Sequence, residues 1–135
     1  MVSERSTSAC TASRRASEVL EAVLAESIPT DERSRTFHLA YTSYAVLAVT
    51  DRALAAHPLL TAPDAMETFV ADRLAQARDD GDMAADLDPR TEAIVLLATA
   101  AGLGIAVLAG QRDAESALAI LRERLTRLIP APRPN

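Results

Sequence analysis

A chain of 135 residues with a net charge of −5 and no basic stripe is one domain by length, and its acidic balance excludes direct nucleic-acid binding by this chain. Apolar residues make up 49%, much of it alanine, with two Phe, two Tyr, no Trp and four Gly, so helices are expected throughout and strands nowhere. The single cysteine, Cys10, excludes an internal disulfide, and the N-terminus lacks the charged-then-apolar pattern of a secretory signal, so a cytoplasmic protein is expected.

In chain order, residues 1–12 are Ser/Thr-rich without an apolar period and are expected to be a disordered leader. A first helix is expected over about 13–27, with Ala16, Val19, Leu20, Val23, Leu24 and Ile28 on its inner side. Arg14 and Arg15 oppose the dipole of a first turn, which hints at a helix that begins elsewhere. Pro29 breaks the chain, and Thr30 is read as the cap of a second helix running to about Ala56. Its stretch from Phe37 to Val49 is apolar on almost every side and is therefore expected to be central. Thr61-Ala-Pro63-Asp64 reads as the start of a third helix to about Asp80, with inner stripe Met66, Phe69, Val70, Leu74 and Ala77, closed by Gly81.

The fourth helix is the most informative. Asp88 is a good N-cap, Pro89 suits the first helical position, and Gly110 suits the stop. From Ala93 to Ala109 the run is apolar on all sides, so it must be covered all round by protein or by lipid. At roughly 17 residues it only just reaches the length of a membrane span, and burial in protein is the expectation. Ala98, Ala101, Gly102, Ala106 and Gly110 recur at three- and four-residue spacing, which permits close approach of another backbone. Asp113 caps a last helix whose Ala114, Leu118, Leu121, Leu125 and Leu128 form a narrow seam suited to a partner helix. A short turn makes these two helices antiparallel neighbours, and their leftover apolar surface suits pairing with a second copy across a two-fold axis. The other possibility is that earlier helices of the same chain use up that surface. Residues 130–135, with three prolines, are expected to be a disordered tail. The helical domain proper thus spans 13–129.

Chemistry-bearing constellations are thin. His38 and His57 lack metal-ligand spacing, Gly102-x-Gly104 lies inside a helix, and the acidic run from Asp79 to Asp88 has no calcium-loop pattern. No catalytic residue, metal or cofactor is expected. The polar interruptions His38, Tyr41, Thr42, Tyr44 and Thr99 either bond to backbone carbonyls within a core or face a cavity lined by Phe37, Leu47, Met66, Phe69, Val70 and Leu103.

From Arg14 to Leu128 the order of elements resembles the C-terminal ligand-sensing and dimerisation domain of the tetracycline-repressor (TetR) family of transcriptional regulators. The resemblance rests on Arg14-Arg-Ala-Ser-Glu-Val-Leu, Ala40-Tyr-Thr-Ser-Tyr-Ala45 with Asp51-Arg-Ala-Leu-Ala, and Leu74-Ala-Gln-Ala with Gly81. It continues through Leu87-Asp-Pro-Arg, Leu96-Leu and Gly102-Leu to Ala117-Leu-Ala-Ile-Leu-Arg-Glu-Arg-Leu-Thr-Arg-Leu128. What it implies is an all-α, five-helix bundle whose last two helices build a four-helix bundle with those of a twin. The implied dimer contacts are Ala98, Gly102, Ala106, Leu118, Leu121 and Leu125. The implied pocket for a small, largely apolar effector is lined by Phe37, Tyr41, Tyr44, Phe69, Val70 and Thr99. The family's helix-turn-helix head is expected ahead of this region, and Met1 to Ser13 is too short and polar to be one. The rival reading is a structural module whose only task is pairing, either a stand-alone homodimer or a headless partner of a complete regulator.

Overall fold

Six helices follow one another among the described residues of the computed structural model: α1 (Val2–Ala25), α2 (Glu32–Thr50), α3 (Arg52–Ala55), α4 (Pro58–Asp79), α5 (Pro89–Leu108) and α6 (Ala114–Leu128). The backbone is described for residues 2–56 and 58–130, and side chains for 14–56 and 64–130. The expected disordered tail lies outside the described residues from 131 onward.

Helix limits follow local chemistry. Asp88 accepts from the Thr91 backbone N–H (3.0 Å) and hydroxyl (2.7 Å), with Pro89 at the first helical position. Asp113 accepts from the Ser116 N–H at 2.7 Å. Asp31, rather than Thr30, caps α2: it accepts from the Ser34 N–H at 2.7 Å while the Ser34 hydroxyl accepts from the Asp31 N–H at 3.1 Å. Gly81 (φ 82°) and Gly110 (φ 77°) end α4 and α5 in the left-handed conformation. The following N–H groups reach back to Ala77 O (2.8 Å) and Ala106 O (2.9 Å).

Three expected boundaries move. No Gly or Pro occurs before Pro29, and α1 reaches back to Val2, so the leader read as disordered is helical. Arg14 and Arg15 therefore sit in mid-helix, which removes their conflict with the dipole. The expected second helix stops at Thr50, because Asp51 adopts an extended conformation and caps the one-turn α3. The expected third helix begins at Pro58, a residue whose fixed φ and absent N–H suit the first turn.

The core is aliphatic. Leu20, Leu24 and Ile28 from the α1 side, Val70, Leu74 and Ala77 from α4, Ala93, Leu96 and Ala100 from α5, and Ala117, Leu121 and Leu125 from α6 are buried together, joined by Met83 from the α4–α5 connection. α4 and α5 share the most extensive contact, and α6 packs against α1 and α5. Two surface ion pairs tie elements together, Glu21–Arg122 between α1 and α6 (2.8 Å) and Glu67–Arg90 between α4 and α5 (2.7 Å).

α2 departs from expectation. Read as central, it contains no buried residue. Ser34, His38, Tyr41, Thr42, Ala45 and Ala48 are half-buried, in a helix that touches α4 and α5 and whose His38 meets the Glu26 carbonyl, whereas Phe37, Leu39, Val46, Leu47 and Val49 are exposed. Apolar residues all round a helix give it no preferred face, and this one docks by its smaller, more polar side.

Candidate functional site

α5 is long and apolar enough to cross a bilayer by length and composition alone. In the fold one stripe of it, Pro89, Ala93, Leu96, Ala100 and Gly104, is buried in the subunit. The opposite stripe is not covered. Ile94, Ala98, Ala101 and Ile105, spaced four, three and four apart, are exposed, with Val95 and Gly102 beside them. Ile94 remains 49% and Ile105 53% accessible, so the described residues of this subunit do not supply the all-round cover expected from the sequence.

The expected pairing residues divide between two environments. Ala98 and Gly102 lie on the open row of α5, and Ala106 is half-buried at its edge. Around Gly102 a Cβ would meet no atom within 4 Å. The α6 seam, in contrast, faces inward: Leu121 and Leu125 are buried in the subunit's own core, and Leu118 packs against it half-buried. α1 and α5 of the same subunit pack against that seam. The outer side of α6 carries Ala119, Arg122, Glu123, Thr126 and Arg127 around an open depression.

Close backbone approach occurs at Gly104, outside the stripe of small residues read from the sequence. A Cβ there would overlap the Ser27 carbonyl oxygen, so the corner between α1 and α2 rests directly on the α5 backbone. The signal in the sequence was the propensity cost of a mid-helix glycine, which needs an offsetting contact.

The expected pocket residues are spread over the three helices α2, α4 and α5, which touch one another. Tyr41 and Phe69 are half-buried, and the Arg73 guanidinium lies 5.0 Å from the Phe69 ring centroid. Thr99 is half-buried and its hydroxyl donates to the Val95 carbonyl at 2.7 Å, the backbone-bonding alternative noted for such residues. Val70 is fully buried in the core, and Tyr44 is exposed. Phe37 is 56% exposed and stands edge-on to His38, with centroids 5.6 Å apart. An open groove of ≈ 570 Å³ at the α1–α2 corner is lined by Phe37 with His38, Glu26, Ile28, Arg33 and Leu118 among others. It contains none of Tyr41, Tyr44, Phe69, Val70 or Thr99, so the six expected residues do not share it.

Sequence reasoning passed over two contacts of α2. The Arg35 guanidinium donates to the Leu108 carbonyl at the end of α5 (3.0 Å), and His38 Nε2 donates to the Glu26 carbonyl just beyond α1 (2.8 Å). Among the described residues no three His, Cys, Asp or Glu side chains converge as a metal site would require. Hydrogen bonds from Ser34, Thr91 and Ser116 hold the capping carboxyls of Asp31, Asp88 and Asp113 below the ordinary carboxylate range. Burial, with Asp80 nearby, pushes Asp82 up.

Residues 16–130 match the family described as BetI-type transcriptional repressor, C-terminal. The helical fold and this match over most of the chain make it a TetR-type transcriptional-regulator domain, and the chain belongs to that BetI-type C-terminal family. Comparison with curated proteins and with solved structures gives no match.

Proposed function

We propose that this domain pairs with a second copy of itself in the cytoplasm and senses a small, largely apolar effector within a transcriptional regulator. The observation that carries the reading is the uncovered row Ile94, Ala98, Ala101 and Ile105 on a helix without a charge from Ala93 to Ala109. Covering the accessible parts of Ile94, Val95 and Ile105 contributes on the order of 1 kcal/mol per side chain, or about 6 kcal/mol for a symmetric pair. That only reaches the low end of the cost of association, so surface beyond these three side chains joins the interface. Ala98, Gly102 and Ala106 remain interface residues in this reading; Leu121 and Leu125 act inside each subunit.

The effector lies where α2, α4 and α5 meet, with Tyr41, Phe69 and Thr99 offering aromatic surface and hydroxyls, Phe37 and Tyr44 at the margins and Val70 as floor. A molecule that prefers one arrangement of these helices shifts the population toward it, and the paired subunits transmit that shift to a DNA-binding output.

The test is Ile105→Glu, which places a charge on the open row. Wild type should sediment as a dimer and the variant as a monomer of unchanged far-UV circular dichroism, because burying an unpaired charge is prohibitive. A wild-type protein that stays monomeric at high concentration, or a variant that still pairs, would remove the assigned interface.

A further inference from the structure

We propose that α2 is a latched lid, held to the domain by a shallow contact with α4 and α5 and by the Arg35–Leu108 and His38–Glu26 bonds, and able to swing from α4 and α5 as a unit. Four observations carry this. None of its residues is buried, while α1, α4, α5 and α6 each contribute fully buried side chains. Its half-buried residues are Ser34, His38, Tyr41, Thr42, Ala45 and Ala48, with Tyr41 the largest and the others mostly small or polar groups that gain little from leaving water, whereas Phe37, Leu47 and Val49 remain more than half exposed. Its ends are breaks in the helical path, at Pro29 on one side and at extended Asp51 on the other.

The fourth observation is where the latches attach. Both end on main-chain carbonyls at or just past the C-terminal ends of helices, where four carbonyls have no intrahelical partner and the dipole favours a cation. Arg35 therefore ties the start of α2 to the end of α5, and His38 ties its first half to the end of α1. Releasing these bonds loosens the helix without opening the aliphatic core, to which none of its residues belongs. Movement of α2 exposes Tyr41 and Thr42 together with the adjoining surfaces of α4 and α5, which gives a molecule a route to the region assigned to the effector. That last step rests on the effector reading; the opening itself does not.

Hydrogen–deuterium exchange of the full chain, read by mass spectrometry with no effector added, tests the opening. Amides of residues 36–50 should exchange about 100-fold faster than those of residues 93–104, since the former open locally and the latter only with the core. The double variant Arg35→Gln/His38→Gln should speed exchange in α2 about tenfold further and leave α4, α5 and α6 unchanged. Protection of α2 equal to that of α5, or a variant that accelerates every helix alike, would overturn the lid. If the double variant does not fold, the wild-type profile decides alone. Because no effector is present, a protein that binds nothing still reports whether the lid opens.

Discussion

Replacing Gly104 by Ala and Gly102 by Ala in parallel tests the contact on which α1, α2 and α5 converge. Each change removes a mid-helix glycine from α5 and gains about 1 kcal/mol of helix propensity. At Gly102 the new methyl meets nothing in the subunit. At Gly104 it meets the Ser27 carbonyl oxygen, a backbone atom that no rotamer change can move aside. Overpacking costs about 1–3 kcal/mol, and an overlap this deep with main chain belongs at the upper end, so the net loss should be about 2 kcal/mol. For a domain of this size that lowers the melting temperature by roughly 6–10 °C. Urea and thermal unfolding followed by far-UV circular dichroism measure both variants. A Gly104→Ala protein as stable as wild type would refute the close approach. A Gly102→Ala gain that shrinks as protein concentration rises would report a second copy approaching that spot.

Leu121→Ala should cost about 2–5 kcal/mol, because the side chain is buried in the core, and should leave subunit association intact in sedimentation once the variant is folded. Acid should weaken the fold through its caps. The folded-state carboxyls of Asp31, Asp88 and Asp113 are lowered, so their stabilisation is complete above the unfolded value of about 3.9 and is lost as pH falls through the folded values. Asp82 has the opposite sign: ionised, it opposes folding, and protonation relieves that opposition. Asp113→Asn keeps a capping oxygen without a titrating group and should lose less stability than wild type between neutral pH and about pH 2, as read from melting temperatures.

Where a residue type has one local consequence, the fold was legible in the sequence. Asp88, Pro89 and Gly110 bounded α5, Asp113 opened α6, and the three-four spacing of Leu20, Leu24 and Ile28 and of Val70, Leu74 and Ala77 picked the buried faces of α1 and α4. The Ser/Thr-rich start was misread because such residues are merely indifferent helix formers, and α1 continues through them. α2 and α5 were harder for a different reason. With apolar residues on every side, periodicity cannot say which stripe goes inward, so the central place expected for α2 failed, and on α5 it could not say which stripe the subunit covers and which it leaves open. The α6 seam posed the converse problem. A narrow leucine stripe fits a partner helix from the same chain as well as one from a twin, and here α1 and α5 are the neighbours. The close approach at Gly104 depends on where a distant corner lands, which no local pattern encodes.

The two tyrosines, Tyr41 and Tyr44, both belong to α2, and the chain has no tryptophan. Intrinsic ultraviolet emission and near-ultraviolet dichroism of the native protein are therefore dominated by one peripheral element, while the aliphatic interior is optically silent. A fluorescence melt of this domain follows α2 and its surroundings, and only amide-based signals follow the core.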